Sequence, residues 1–303
     1  MAYFLNTVTG SLVAMCVTAM VTLAITLIFR TSFTTNFAQG VISAFGAYVA
    51  SSVIMKAGVP IYGAIPIAVV VSLCLASLID VGIFRRGRYV NALGKQIITM
   101  GLISVLSGLM PLIFGIQQHK IDPFIMGNIT ADIGDAIPFT MTKNSLICTA
   151  ITVVVVAVVF ILLRFSKWGL SVRATASNEY VAGMMGINTH VVTAVSWGIA
   201  GAIGALAAVM SATVGRDVSV YFMTDYQVTA FLAGILGGFS TFYGPVICAF
   251  IIPLLNNLIV YLFNVTGHSD LTAWSMVIVY AIALVIIFIK PQGIFGKRIA
   301  KKV

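Results

Sequence analysis

The chain has 303 residues, 60% of them hydrophobic and only 8% charged, with a mean hydropathy of +1.09. Charged residues make up about 25% of ordinary soluble domains, so this is the composition of a polytopic membrane protein. Spans of about 20 residues each leave no length for a separate soluble domain, and a single membrane domain over residues 1–303 is expected. The net charge of +9 does not imply a nucleic-acid partner, because the basic residues fall in short boundary loops, where cytoplasmic retention of positive charge and anionic lipid headgroups account for them.

Residues 2–29 and 31–55 contain no Asp, Glu, Lys or Arg, and each is long enough to cross a bilayer. The N-terminus has no basic n-region and no clear small-residue cleavage site, so the first span is expected to be retained. The second span opens with the string Asn-Phe-Ala-Gln-Gly, in which Asn36, Gln39 and Gly40 stand where an ordinary membrane helix carries Leu or Val. Polar groups at membrane depth must face protein or a water-filled cavity. They either line a path or join helices by hydrogen bonds, and the sequence leaves both readings open. Uncharged segments 61–79, 96–116, 144–163 and 191–215 supply four further spans.

Between the last two of these lies a polar and basic loop, residues 164–188, which includes the chain's only glutamate, Glu179. Connections between packed helices usually run about two to eight residues, so this length predicts a docking surface for a cytoplasmic partner over 164–190. Glu179, Ala182 and Gly186 recur at three and four residues and would share one face of a short helix. In the next span, Gly198, Gly201 and Gly204 with Ala194, Ala205 and Ala208 form a small-residue face for close packing, either within the chain or against another subunit.

Region 226–267 is uncharged but broken by Gly-Gly-Phe-Ser-Thr-Phe-Tyr-Gly-Pro at 237–245, and is expected to cross twice; 271–289 makes the last pass. Counted one by one these segments give nine crossings, and the expectation for the chain is about eight transmembrane helices. Residues 37–45 and 242–250 match at five of nine positions, which suggests a repeat with interrupted helices of the kind transporters use, or a chance likeness of apolar segments.

Counting Lys and Arg sets orientation. With the C-terminus inside and the N-terminus outside, 13 of the 17 basic residues are cytoplasmic: Arg30, Arg85, Arg86, Arg88, Lys95, Arg164, Lys167, Arg173, Lys290, Lys297, Arg298, Lys301 and Lys302. Six of eight acids, Asp122, Asp132, Asp135, Asp217, Asp225 and Asp270, fall on the other side. The longest extracytoplasmic loop is 116–143.

No catalytic constellation is present. His119, His190 and His268 are isolated, no paired-cysteine spacing marks a metal site, no cofactor is implied, and no Gly-x-x-x-x-Gly-Lys-Ser/Thr loop cradles a phosphate. The spans also show no clear ionisable group at depth; Asp80 sits at a span end beside Arg85 and Arg86. Transport by such a chain would draw its energy from a partner, which returns the reading to the long loop.

Together, Asn36 to Gly40 followed by Gly46-Ala47-Tyr48, the loop 169–188, Gly237-Gly238 through Gly244-Pro245, and Pro291-Gln292-Gly293-Ile294-Phe295-Gly296 resemble the LivH-type permease subunits of ATP-binding-cassette importers for branched-chain amino acids, a family that includes urea and other amide systems. The resemblance covers nearly the whole chain. It implies an all-α permease that is not itself an enzyme, a second homologous permease of the LivM type, two cytoplasmic ATP-binding subunits and an extracytoplasmic substrate-binding protein. It further implies that Arg173, Ala174, Glu179, Ala182, Gly186 and Asn188 belong to a cytoplasmic coupling helix seated in the ATPase. Asn36, Gln39, Gly40, Gly237 and Gly238 are assigned to the translocation path. In the broader importer pattern Glu is followed directly by two alanines and by Gly six positions on; here Tyr180-Val181 replace the alanines and Gly186 is seven positions on. Permeases for urea, short amides or simple sugars, and an ion-coupled carrier, are the alternatives.

Overall fold

A computed structural model describes residues 2–87, 90–117, 119–132, 138–215 and 217–296. Arg88, Asp135, Lys297, Arg298, Lys301 and Lys302, all named in the charge count above, and Arg216, one of the four basic residues left to the other side, lie outside the described residues. Uncharged apolar runs in a bilayer must satisfy every backbone group internally, which leaves helix as the solution for each. The long helices are α1 (Ala2–Ser32), α2 (Gln39–Ala57), α3 (Ile61–Ile79), α4 (Ala92–Phe114), α5 (Lys143–Phe165), α8 (Thr189–Ala212), α10 (Tyr243–Val265) and α11 (Ser275–Ile289). Between α5 and α8 come the short α6 (Lys167–Ser177) and α7 (Glu179–Met184), and α9 (Thr224–Gly237) precedes α10. A π-helical turn, Asp80–Phe84, extends α3, and a 3₁₀ turn, Ser269–Trp274, leads into α11.

Eight of these stretches are long and apolar enough to cross a membrane, one fewer than the nine crossings counted along the sequence. Region 226–267 supplies only one of them, α10. Its other half, α9, has 14 residues, about 21 Å at 1.5 Å per residue, too short for the roughly 30 Å hydrocarbon layer. The irregular stretch from Val218, which bridges His119 at one end, together with α9 nonetheless carries the chain across the bundle, and the two termini therefore lie at opposite ends. Asn6 Nδ2 donates to the Pro138 carbonyl and Thr140 N donates to Asn6 Oδ1 at one end, while Ile294 N donates to the Leu236 carbonyl at the other.

The ends sort by charge as the sequence implies. At the end with the basic loops, Arg30 donates to the Ser240 carbonyl and lies 5.1 Å from the Phe242 ring centroid. At the other, Lys120 pairs with Asp217 at 3.4 Å and His119 bridges Val218. The 116–143 loop there contains one element outside the helical reading, an antiparallel hairpin of β1 (Asn128–Ala131) and β2 (Phe139–Thr142).

The centre of the bundle is α1, α2 and α8, buried along most of their lengths; α4, α5 and α11 are largely exposed. The small-residue face of α8 is an intrachain seam. A Cβ at Gly201 would lie 2.6 Å from Ala76 Cβ and from the Ser72 carbonyl of α3, and one at Gly204 would press on Ser43 and Gln39 of α2. With no hydrophobic drive between helices in lipid, this backbone approach and its dispersion contacts hold the core together.

Candidate translocation and coupling sites

Residues 33–38 are non-helical, and α2 begins well inside the bundle rather than at its end. The depth is fixed by Gln39, whose Nε2 donates to the carbonyl of Ala200, half-way along α8, at 3.1 Å. Asn36 and Gln39 are fully buried. Asn36 Nδ2 donates to Gln39 Oε1 at 3.2 Å, and Asn36 Oδ1 accepts from Ala38 N at 3.0 Å. From α9, Gln227 completes the network: its Oε1 accepts from Gly40 N, and its Nε2 donates to the Phe37 carbonyl at 2.6 Å. A Cβ on Gly40 would stand 2.6 Å from Gln227 Oε1, so glycine is required for the bond. In this conformation the polar string is thus a satisfied junction between two interrupted segments, with both helix starts, α2 and α9, meeting at mid-depth.

That junction corrects one sequence inference. Since Gln227 is level with Gly40, the start of α9 lies at mid-depth, and Asp225 in its first turn is not an outer-loop acid. It lines a cavity of about 560 Å³ together with Thr18, half-way along α1, and Asn256, near the middle of α10. An ionisable group therefore lies at depth on the half-length helix α9, exposed toward this cavity. Irregular backbone at that depth occurs where it is buried in protein or lines a cavity, and Met223, just before α9, is fully buried. A polar cluster, Thr224-Asp225-Tyr226-Gln227, heading an uncharged run was the available signal.

Gly237 and Gly238 serve a different local purpose. Gly238 has φ +81°, and a Cβ there would lie 2.7 Å from the Gln292 carbonyl; one on Gly293, φ +83°, would lie 2.6 Å from Gly238 Cα. Gly237 packs directly on Gly244 and Pro245. The 291–296 segment is thereby clasped to the turn between α9 and α10, sealed by Phe295 against Tyr243, 5.9 Å between ring centroids.

In the coupling loop the structure divides the expected residues between jobs. Arg173 donates to the carbonyls of Leu163 and Arg164, capping the C-terminus of α5. Asn178 Oδ1 accepts from Val181 N at 3.1 Å and Asn188 Oδ1 from Val191 N at 3.3 Å, N-capping α7 and α8. Gly186, φ +84°, ends α7, with Ile187 N reaching back to the Ala182 carbonyl at 3.1 Å, a Schellman-type stop. Ala174 is half-buried on α6. Glu179 and Ala182 do share a side of α7, as the spacing implied, but that side faces the protein. Ala182 is buried, and Glu179 borders a small cavity with Asp80, Arg85, Lys95 and His190. The outward face is instead Tyr180, Val181, Met184 and Met185, 45–79% exposed. Sequence spacing showed which residues share a face but not which face is turned out. Asp80 itself accepts from Thr193 Oγ1 at 3.3 Å, tying the π-helical turn to α8.

At the opposite end His119 is buried, with Ser51 Oγ 3.1 Å from its Nδ1 and the Tyr48 ring edge-on at 5.0 Å. Burial pushes its imidazole below the ordinary histidine range, and the charge of Lys56 acts in the same direction.

Taken together, these features define an all-α, multi-pass membrane permease built on interrupted helices. The chain belongs to the family of branched-chain amino acid transport system permease components, whose profile matches residues 7–287. It is 26% identical over 273 residues to the probable branched-chain amino acid transport permease protein LivH of Methanocaldococcus jannaschii, covering 86% of this chain and 82% of that one. Over 276 residues it is 23% identical to the high-affinity permease LivH of Escherichia coli, covering 88% and 87%, and 21% identical to BraD of Pseudomonas aeruginosa, covering 88% of each. No solved structure matches the chain.

Proposed function

We propose that this chain is a permease subunit that moves branched-chain or closely related amino acids inward, powered by cytoplasmic ATP-binding subunits. It pairs with a second homologous permease of the LivM type, and an extracytoplasmic binding protein delivers substrate to the 116–143 loop, where Asp122 and Asp132 lie. The end carrying Arg30, Arg85, Lys95, α6 and α7 faces the cytoplasm. The path passes the junction of Asn36, Gln39 and Gly40 with Gln227, and the Gly237–Gly238 turn closes its inner end.

The observation that carries this reading is the outward face of α7. Tyr180, Val181, Met184 and Met185 form an exposed apolar patch on a short, doubly capped helix. Side chains of this kind form the cores of protein interfaces. Small conformational strokes of a partner would reach the bundle through Glu179, Ala182 and the Asp80–Thr193 contact.

The test is affinity purification of tagged protein from native membranes in mild detergent, comparing wild type with Tyr180→Asp plus Met184→Asp. These side chains are 76% and 65% exposed, so the fold should survive. Wild type is expected to bring down ATPase subunits and a second permease, and the double variant to lose only the ATPases. Wild type arriving without any ATPase would sink the reading.

A further inference from the structure

We infer that the cavity walled by α1, α9, α10 and α11 is an intramembrane binding station for the ammonium end of an amino-acid substrate, with Asp225 and Asn256 as its acceptors; this rests on the transport reading above.

The cavity measures about 560 Å³, within the range of about 300–1,000 Å³ typical of small-molecule pockets. Its hydrogen-bonding lining includes Thr18, Asp225, Tyr226, Asn256, Asn257 and Tyr280, an unusual concentration for the middle of a membrane domain. Polar side chains at this depth are costly unless partnered, and an ionisable one is a functional candidate by default. Asn256 Oδ1 is buried and makes no hydrogen bond. A buried acceptor without a donor costs about 1–3 kcal/mol, a deficit that a bound donor would remove.

The donor that fits is a cation. Asp225 is a carboxylate, Asn256 offers an idle carbonyl oxygen, and no Lys or Arg lines the cavity, so the set accepts hydrogen bonds from an –NH₃⁺ group and does not suit a lone anion. Asn257 and Tyr280 can each donate to a carboxylate, while the Thr229 hydroxyl is already donated to the Asp225 carbonyl at 2.8 Å, and Val228 and Met276 supply apolar wall for an aliphatic side chain. A zwitterion with an apolar side chain meets all three. Asn257 also lines a second cavity, of about 250 Å³, with Asn6, Thr7 and Asn264 toward the end that holds the hairpin. Asn257 is thus shared by the two cavities, which lie side by side along α10.

The experiment uses the complete complex in proteoliposomes, with loaded binding protein outside and ATP inside, and compares wild type with Asp225→Asn, Asp225→Glu and Asn256→Leu. Leucine uptake and ATP hydrolysis are read together. Asp225→Asn and Asn256→Leu are expected to lower leucine moved per ATP hydrolysed by at least about tenfold, the scale of losing a hydrogen bond to a charged group. Binding-protein-stimulated hydrolysis and co-purification of the other subunits should hold, and Asp225→Glu should recover part of the uptake. A merely structural role would lower uptake and hydrolysis in parallel. That result, or unchanged uptake in both variants, overturns the proposal. So does loss of the second permease from the variant complexes, which would make the cavity a subunit interface. Wild-type complex that hydrolyses ATP but moves no amino acid overturns the transport reading and this station with it; uptake by the chain alone under an ion gradient would reassign Asp225 to ion coupling.

Discussion

Gln227 shows why identity at a single position does not reveal a role. It lies in an otherwise uncharged run and reads as an ordinary polar residue near a loop, yet its amide holds the backbone of Phe37 and Gly40 at mid-depth. Gln39 was legible as a misfit in a membrane helix because its neighbours are apolar on both sides; Gln227 was not, because the re-entry of the chain before α9 is a tertiary fact. The Gly204 position gives a direct test of the junction's tightness. Gly204→Val would drive two methyl groups into Ser43 and Gln39 and should destabilise the permease by about 1–3 kcal/mol, read as a lower thermal midpoint in detergent, whereas Gly183→Ala, with open space around it, should leave the midpoint in place. His119 supplies a pH test. Its folded-state value lies below that of the unfolded chain, so the unfolded state binds the proton first and the contribution is fully present above the unfolded value of about 6.5. Stability should decline as pH falls below that value, and His119→Gln, measured over the same range, should flatten this slope.

At the level of elements, the coupling loop was legible as an object and illegible as a surface. Its length, its lone glutamate and its terminal Gly-Ile-Asn marked it, and that ending also makes the stop of α7 and the start of α8. Gly186→Ala, forced to φ +84°, and Asn188→Ala should each lower the stability of the isolated permease, by about 1 kcal/mol, before any ATPase is added. A thermal melt that leaves both variants unchanged would return these residues to the interface. The interrupted α9 was half legible: the Gly-Gly break at 237–238 announced its end, but nothing in the apolar pattern announced that it starts half-way through the bundle.

For the molecule as a whole, the alternation of basic and acidic loops predicted which loops share an end, and the contacts agree among the described residues. Charge counting works because it depends only on where loops fall. It misplaced Asp225, because a count assigns every residue outside an apolar run to one side or the other and has no category for mid-depth. Orientation is testable on the intact cell. A cysteine placed at Tyr3, 40% exposed, should react with a membrane-impermeant maleimide added outside, and one at Gln292 only after the membrane is opened; the reverse pattern would invert the topology.

The clasp of 291–296 on the turn after α9 also has a bearing on how the protein is made. A ribosome delivers α9 and α10 to the membrane before the residues that pin the turn between them exist. Until Ile294 reaches the Leu236 carbonyl and Gly293 settles on Gly238, the shortest apolar helix of the bundle is held from one side only. The 291–296 stretch therefore locks elements made before it, and a nascent chain released at Lys290 should present its 238–242 turn to cytoplasmic quality-control proteases while a chain that includes 291–296 hides it.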